Sequence, residues 1–220
     1  MEKLAEDAAT LGLEVPPVVV FLGDYVDRGD DSRAVIERII QLQSDQHFEV
    51  RALKGNHDEA FLQFLQDASF GPTWAEYGGM QTLLSYGVAP PLLRSSTEVW
   101  EAVRHALGAA LPRSHLTFLT SLELMVIYGD YAFVHAGIRK GVALSAQAAS
   151  DLLWIRDDFL QAKGPFEKVI VHGHTPEAEP FLGVDRVGID TGAYATGVLS
   201  AVRLQDTTRR TIQAKRSRVG

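Results

Sequence analysis

The sequence predicts an α/β fold with a core of mixed β-sheet and helices packed against it. Short apolar runs bounded by proline or glycine alternate with segments of helical periodicity. No internal repeat, low-complexity tract or linker interrupts the chain, and 46% of its 220 residues are hydrophobic, enough for one sizeable core. We therefore expect a single domain over residues 1–204, followed by a basic tail over residues 205–220.

The first third of the chain predicts alternating helices and strands. Leu4, Ala8 and Leu11 lie at i, i+4 and i+7, which indicates an amphipathic helix. The uninterrupted apolar run 18–22 is typical of a strand buried on both faces. A helical stripe follows at 35–40, and the polar cluster 30–32 is placed to cap it. After it come a strand at 48–53 and a second helical stripe at 60–68.

The rest of the chain predicts a helical section and then a return to strands. Residues 69–121 have helical patterns broken by glycine and proline pairs, as in an inserted helical section. Tyr128-Gly129-Asp130 joins two strand patterns, 122–127 and 131–134, in a hairpin. A short helix at 145–153 precedes three further strands, at 168–171, 186–189 and 198–204.

Composition excludes several classes of protein. A formal charge of −7 disfavours nucleic acid as the main partner, and the absence of cysteine excludes disulfides, thiol chemistry and Cys-ligated zinc. No apolar run reaches the length of a membrane span, and the acidic N-terminus is unlike a signal peptide, so we expect a cytoplasmic protein. The basic residues after Asp206 predict a frayed, solvated end.

Four polar clusters each follow the end of a predicted strand. They are residues 23–29, 55–58, 135–137 and 172–175. Ligand sites in α/β sheets collect at the carboxyl ends of strands, so we expect these clusters to form one site.

The four clusters contain side chains suited to a metal site. Asp24, Asn56, His135 and His174 supply carboxylate, amide and imidazole ligands, a set suited to Mn²⁺, Fe or Zn²⁺. His57 is a candidate proton donor that Asp27 could orient, and Arg28 and Arg156 are candidate phosphate ligands. Taken singly, each has a structural alternative: a turn aspartate, a core histidine, a helix cap or a surface ion pair. Their joint occurrence favours the site.

These residues resemble the metallophosphoesterase superfamily, and in particular the compact bacterial and phage-type serine/threonine protein phosphatases. The motifs that carry the resemblance are GDYVDRG at 23–29, GNHD at 55–58, VHAG at 134–137, LLWIR at 152–156 and VHGHTP at 171–176. The resemblance implies a metallophosphatase-type sandwich of mixed β-sheets flanked by α-helices. It implies that Asp24, Asn56, His135 and His174 bind metal, with Asp24 bridging two ions. It also implies that His57 protonates the leaving group beside Asp27, and that Arg28, Asn56 and Arg156 bind phosphate; His172 is a weaker match.

One family motif has no counterpart in this sequence. Family members open with a strand and Gly-Asp-x-His-Gly, whose Asp and His bind the first metal, whereas this sequence starts at Met1 in the helix expected after it. We expect either a fragment of a longer protein, which we favour, or a real short form that is weakly active or inactive; with this motif absent, we expect the chain to hold a single metal ion. The missing strand would leave apolar surface and unpaired backbone groups.

The predicted function is hydrolysis of phosphoserine and phosphothreonine in proteins, with phosphotyrosine also a candidate, by direct attack of a metal-activated water. Two divalent ions would serve the complete site, Mn²⁺ first among them, and the partner would be a phosphorylated protein or other phosphoester. Two alternatives stay open: hydrolysis of diadenosine polyphosphates, and a non-catalytic phosphatase-fold binding domain.

Overall fold

The computed structural model describes residues 2–12 and 15–216, which form two compact units. The sheet unit comprises residues 1–22, 47–53 and 124–220, and the helical unit comprises residues 23–46 and 54–123. The chain therefore passes from the sheet unit into the helical unit after the first strand, and again after the second. The single domain expected over 1–204 stays a prediction.

All strands of the described chain lie in the sheet unit, in agreement with the mixed-sheet α/β class. They are β1 (Val18–Phe21), β2 (Glu49–Ala52), β3 (Met125–Tyr128), β4 (Tyr131–Val134), β5 (Val169–His172), β6 (Phe181–Leu182), β7 (Arg186–Gly188), β8 (Val198–Gln205) and β9 (Thr208–Lys215). β1 pairs with β2 in parallel, and a five-stranded sheet has the order β3-β4-β5-β7-β6. β8 and β9 form an antiparallel hairpin.

The five-stranded sheet is mixed, which places the ends of two central strands side by side. β3 and β4 form the antiparallel hairpin predicted across Tyr128-Gly129-Asp130. β4, β5 and β7 are parallel neighbours. Parallel neighbours end at the same edge of a sheet, so the residues that follow β4 and β5 are brought together.

The helices of the sheet unit are short, and α8 and α9 contribute buried side chains to its apolar core. They are α1 (Glu2–Ala9), α8 (Ala149–Trp154), α9 (Asp157–Leu160) and α10 (Ala193–Thr196). Ala132, Val134 and Ile170 of the sheet pack with Leu152 and Phe159 of the helices, and all five are buried. The core thus lies directly beneath the ends of β4 and β5.

The helical unit corresponds to the predicted helical middle together with the two preceding stripes. Its helices are α2 (Ser32–Gln43), α3 (Asn56–Gln66), α4 (Gly71–Trp74), α5 (Met80–Ser85), α6 (Thr97–Ala110) and α7 (Arg113–Thr120). Phe64 stacks on Trp74 and meets Trp100 edge to face, and all three rings are fully buried. Asp31 occupies the N-cap of α2 but makes no side-chain cap hydrogen bond, so the predicted capping is wrong in that detail.

β1 differs from its prediction, because it is not buried on both faces. Val18 is exposed and the other three residues are only half-buried. The reason is an apolar cavity of about 440 Å³ within the sheet unit, which β1 lines together with α1 and β8. The backbone carbonyls of Pro17 and Phe21 accept hydrogen bonds from Glu49 N–H and Leu53 N–H, on the side of β2. Because carbonyls alternate in direction along a strand, those of Val18 and Val20 point to the opposite edge of β1.

The expected frayed tail is wrong for most of its length. Thr208–Lys215 forms β9, which pairs along its whole length with β8. Asp7 of α1 lies 3.0 Å from Arg203 and 3.1 Å from Arg210, so this basic charge is paired with an acid of the first helix. Residues 217–220 lie outside the described part. Among the described residues, no helix is long and apolar enough to span a membrane.

Candidate active site

In the helical unit, the loop after β1 holds three non-glycine residues in the left-handed region. Asp24, Asp27 and Arg28 have φ angles of 60°, 74° and 62°. This conformation costs free energy for L-residues and persists only where surrounding contacts enforce it. Such concentrated strain in one short loop marks it as a candidate functional site.

Asp58 supplies many of the contacts that enforce this loop. Its carboxylate is fully buried and accepts backbone N–H bonds from Asp24 at 2.8 Å, Tyr25 at 3.0 Å and Gly55 at 2.8 Å. Burial and the neighbouring Asp24 carboxylate raise the pKa of Asp58, and the three N–H bonds oppose that rise. Asp58 thereby joins the start of α3 to the loop that carries Asp24.

Gly55 lets these two segments approach each other. A Cβ at this position would lie 2.1 Å from Asp24 Oδ1 and 2.4 Å from Asp24 N, distances that no real contact permits. The Asp24 carboxylate also accepts the backbone N–H of His57 at 3.1 Å. The glycine of GNHD is therefore required by close packing against Asp24.

Asp27 and His57 form a buried acid–imidazole pair in the helical unit. Asp27 Oδ2 lies 2.7 Å from His57 Nδ1. The same carboxylate accepts Trp74 Nε1–H at 3.0 Å from each oxygen and Thr82 Oγ1–H at 2.7 Å. A carboxylate held by two other donors restricts the imidazole ring that it contacts, and the orienting role of Asp27 stays a prediction.

The pKa values of this pair follow from burial and from their mutual contact. Burial raises the pKa of Asp27, against the lowering effect of its hydrogen bonds to His57, Thr82 and Trp74. Burial lowers the pKa of His57, but the hydrogen bond to Asp27 and the charges of Asp24 and Asp27 prevail and raise it. A raised pKa keeps the ring protonated to higher pH, which suits a proton donor.

Arg28 is exposed, unlike the buried pair beside it. Its backbone N–H donates to the Gly78 carbonyl at 3.1 Å, and its Nε donates to the Tyr77 carbonyl at 3.4 Å. Gly78 has a φ of 116°, and a Cβ there would lie 2.7 Å from Arg28 N. The loop 77–78 of the helical middle thus positions the guanidinium at the surface of the helical unit.

In the sheet unit, His135 and His174 follow the neighbouring strands β4 and β5. Both are buried, and His135 Nε2 lies 3.1 Å from His174 Nδ1. His135 Nδ1 donates to the Leu22 carbonyl at 2.7 Å, which orients the ring. The expectation that these two strand ends place their polar residues together is met within this unit.

The chemistry of this histidine pair fits a bound metal ion. A ligating histidine ordinarily donates one ring N–H to a carbonyl or carboxylate and directs the other nitrogen at the metal. His135 follows that pattern, because its Nδ1 is committed to Leu22 and its Nε2 lies next to His174 Nδ1. Two adjacent imidazole nitrogens suit Zn²⁺, Fe or Mn²⁺.

His172 is a core histidine. Its Nδ1 donates to the Gly173 carbonyl at 3.1 Å and its Nε2 accepts from Arg186 Nη1 at 3.3 Å. Burial lowers its pKa to about 4, so the ring is neutral. Since both nitrogens already have partners, His172 is unsuited to ligate a metal.

Arg156 lies at the same edge of the sheet unit as His174. Its Nη1 is 3.3 Å from the His174 carbonyl oxygen and 3.4 Å from Thr175 Oγ1. The side chain is exposed, so its remaining N–H groups are available to an oxyanion. The sheet unit therefore combines two imidazoles with one fixed positive charge.

Sequence analysis missed three contributors to the helical-unit part of the site. Asp58 was quoted only within GNHD, and Trp74 and Thr82 lie in the helical middle, 47 and 55 residues from Asp27. Asp58, at the third position of α3, accepts the N–H of the N-cap residue Gly55, and an acidic residue at this position of a predicted helix start is a signal that could have been used. No sequence pattern around Trp74 or Thr82 indicates that these residues contact Asp27.

Each unit thus contributes a different chemical capability. The helical unit carries Asp24, Asn56 and the hydrogen-bonded pair of His57 with Asp27, in which His57 is the candidate proton donor. The sheet unit carries His135, His174 and Arg156. Metal ligands, a proton donor and arginine forks are the groups that phosphoester hydrolysis requires.

Comparison with protein families agrees with this chemistry. The family model described as calcineurin-like phosphoesterase matches residues 2–199. A crystal structure of a provisionally assigned diadenosine tetraphosphatase superposes with a TM-score of 0.58 at 16% identity, covering 89% of this chain and 80% of that one. At this identity the likeness shows a shared fold.

Curated relatives share one name, bis(5'-nucleosyl)-tetraphosphatase PrpE (asymmetrical). The protein from Anoxybacillus flavithermus is 25% identical over 201 residues, covering 84% of this chain and 74% of the relative. The protein from Oceanobacillus iheyensis is 27% identical over 206 residues, covering 86% and 74%. The predicted hydrolysis of phosphoserine and phosphothreonine, and the predicted phosphoprotein partner, are therefore wrong, because the matching relatives are named as nucleotide hydrolases.

Proposed function

The chain belongs to the calcineurin-like phosphoesterase family, and on that premise we propose that it hydrolyses dinucleoside tetraphosphates. The observation that carries the reaction class is the buried His57–Asp27 pair, a positioned proton donor beside Asp24. The substrate class is supported by the names of the curated relatives and replaces the phosphoprotein. The diadenosine-polyphosphate alternative of the sequence analysis is thus the preferred function.

Asp24, Asn56, His135 and His174 would hold the metal. Divalent ions at such a site, when bound, supply an activated water and neutralise the charge of the phosphate oxygens. Asp24 is held for this task by Asp58 and Gly55, and His135 by the Leu22 carbonyl. Mn²⁺ is the ion we propose first, with Fe and Zn²⁺ as the alternatives that the same ligands accept.

His57 and the two arginines would complete the reaction. A water oxygen forms a bond to one phosphorus, and the bond from that phosphorus to its bridging oxygen breaks. His57 donates its proton to the departing oxygen, while Arg28 and Arg156 bind the phosphate oxygens. Asymmetric cleavage of diadenosine tetraphosphate in this way yields one AMP and one ATP.

Product analysis tests this function. We expect the purified protein, supplied with Mn²⁺, to convert diadenosine tetraphosphate into equal amounts of AMP and ATP, resolved by anion-exchange chromatography. A phosphoserine peptide at the same concentration should react far more slowly. Faster turnover of the phosphopeptide, or no turnover of the dinucleotide by metal-loaded protein, would overturn the proposal.

Removal of metal provides a second test. We expect a chelator followed by gel filtration to abolish turnover and Mn²⁺ to restore it, because the ligand set cannot activate water without an ion. His135→Ala should weaken Mn²⁺ affinity as measured by calorimetry, whereas His172→Ala, which changes a core histidine, should leave the affinity unaltered. Equal loss of affinity in both variants would contradict the assignment of the ligands.

Thr82→Val and Trp74→Phe test the role of the helical middle. Each keeps most of the side-chain volume but removes one donor to Asp27. We expect each to lower kcat about tenfold, because loss of one hydrogen bond to a charged group costs about 1.5 kcal/mol. KM should change little. Ser69→Ala, on a neighbouring exposed turn of the same unit, is the matched control and should keep wild-type kcat.

A further inference from the structure

The apolar cavity of the sheet unit is left unfilled by the elements that surround it. Its volume is about 440 Å³, and α1, β1 and β8 supply much of its lining. No residue of α1 is fully buried, although Leu4 and Ala8 of its apolar stripe line the cavity. Protein interiors are close-packed and leave few voids larger than a water molecule. A cavity of this size therefore has room for a further group.

β1 presents an unpaired backbone edge to this cavity. It pairs with β2 through the backbone groups of alternate residues, the series that includes Pro17 and Phe21. The N–H and C=O groups of Val18 and Val20 therefore point away from β2, and both residues line the cavity. Within the described part of the chain, β1 pairs with no strand other than β2.

β8 presents a second unpaired edge to the same cavity. The Val198 carbonyl accepts Thr191 Oγ1–H at 2.7 Å, so it faces away from β9. Because backbone groups alternate in direction along a strand, those of Val202 and Leu204 face the same way. Both residues line the cavity, and among the described strands β8 pairs with β9 alone.

Arg203 adds a buried donor that lacks an acceptor. This residue also lines the cavity, and its Nη1 pairs with Asp7 at 3.0 Å. Its Nε is buried and has no hydrogen-bond partner among the described residues. A buried donor is ordinarily satisfied by protein or by ligand, so an occupant with a C=O group would suit this position.

These three observations define the chemistry of the occupant. A purely hydrophobic molecule would fill the cavity but would leave the backbone groups of both edges unpaired. An extended peptide has N–H and C=O groups on both edges and side chains on both faces, so apolar residues in it would meet both demands. Arg203 is the basic residue of the described lining and is paired with Asp7, so the occupant needs no charge to balance it.

We propose that this cavity accepts an extended, uncharged, apolar strand of about five residues from a partner polypeptide. The strand would form backbone hydrogen bonds with the open edges of β1 and β8 and would place its side chains in the cavity. Its pairing would also hold β1, which leads into Leu22, the residue whose carbonyl orients His135. The proposal is independent of the substrate of the enzyme.

Calorimetric titration with a synthetic peptide tests the proposal. The probe is a capped peptide of five alternating valines and isoleucines, with two lysines at one end for solubility. Its control is the same peptide methylated at alternate backbone nitrogens, which keeps the side chains and removes the donors of one edge. We expect the probe to bind with 1:1 stoichiometry and the control to bind about tenfold more weakly, the change that corresponds to 1.4 kcal/mol. Equal affinities, or no binding of the probe, would overturn the proposal.

Variants of the lining test where the peptide binds. Ala201→Trp should fill the cavity and abolish binding, whereas Leu199→Trp, on an exposed side chain of the same strand, should bind the probe as the wild type does. Val20→Pro removes one outward N–H of β1 and leaves the pairing with β2 intact, so it should weaken binding about tenfold even if Ala201→Trp fails to fold. Wild-type affinity in Val20→Pro, with its fold confirmed by circular dichroism, would overturn the proposal.

Two further measurements separate this proposal from its alternatives. Self-association of the wild-type protein in sedimentation, lost in Ala201→Trp, would identify a second copy of this chain as the occupant and overturn the proposal of a peptide partner. Binding of the probe by a protein that does not cleave the dinucleotide would support the strand site and remove the proposed hydrolytic function. Cleavage without any binding of the probe would do the reverse.

Discussion

His57→Asn should lower kcat for diadenosine tetraphosphate by about 10²–10⁴-fold, the contribution that a positioned general acid makes. Asparagine can keep a hydrogen bond to Asp27 but cannot transfer a proton, so the loop and the fold should persist. The measurement is steady-state turnover with Mn²⁺, with circular dichroism and Mn²⁺ affinity recorded on the same preparation.

The size of the loss should depend on the leaving group. A departing phosphate oxygen, with a pKa of about 6, needs a proton less than a departing phenolate, whose pKa is about 10. The His57→Asn deficit should accordingly be larger with phenyl phosphate than with p-nitrophenyl phosphate, whose phenol is more acidic. An equal deficit with both esters would show that His57 binds substrate and does not donate the proton.

His105→Asn is the matched control for this substitution. His105 is exposed on α6 and pairs with Glu101 at 3.0 Å on the surface of the same unit. Wild-type kcat in this variant, alongside a strong loss in His57→Asn, would assign the effect to the position of His57. Unchanged turnover in His57→Asn would remove it from the mechanism.

The elements that sequence analysis predicted are those with a strong apolar pattern. The run 18–22 and the hairpin at 128–130 are confirmed as β1 and as the β3–β4 connection. β9 was missed because Thr208–Lys215 is mostly polar and contains just two apolar residues, Ile212 and Ala214. Its strand conformation comes from pairing with β8 and from the ion pair of Arg210 with Asp7, both of which are tertiary.

The candidate site was predicted where its residues occur in compact motifs. Asp27 beside His57, and His135 beside His174, are contacts that the positions of the clusters after successive strands foretell. Residues that support the site from elsewhere in the sequence belong to no motif: Thr82 contacts Asp27 from 55 residues away. The substrate class was predicted wrongly because the motifs GDYVDRG and GNHD supply groups for phosphoester chemistry in general, and nothing in them specifies the leaving group.

Asp58 is the support whose loss should cost the most stability. It is 0% exposed and accepts three backbone N–H bonds, two of them on one carboxylate oxygen. Each buried donor left without an acceptor costs about 1–3 kcal/mol. These bonds support the strained φ angle at Asp24, so their loss also frees this part of the loop to relax.

Asp58→Ala should therefore lower the free energy of unfolding by about 3–5 kcal/mol, because the buried N–H groups of Asp24, Tyr25 and Gly55 lose their acceptor. It should also weaken Mn²⁺ binding, because the loop that carries the Asp24 carboxylate is no longer held in place. Asp58→Asn should recover only part of this loss, since its amide N–H₂ would face backbone donors where a carboxylate oxygen accepts. Urea denaturation and calorimetry measure the two effects.

Asp67→Ala is the control, because it removes an exposed carboxylate that accepts only one N–H, from Ser69. It should lower the free energy of unfolding by no more than about 1 kcal/mol. Full stability and full Mn²⁺ affinity in Asp58→Asn would mean that Asp58 carries a proton and that the ionised carboxylate is not what holds the loop.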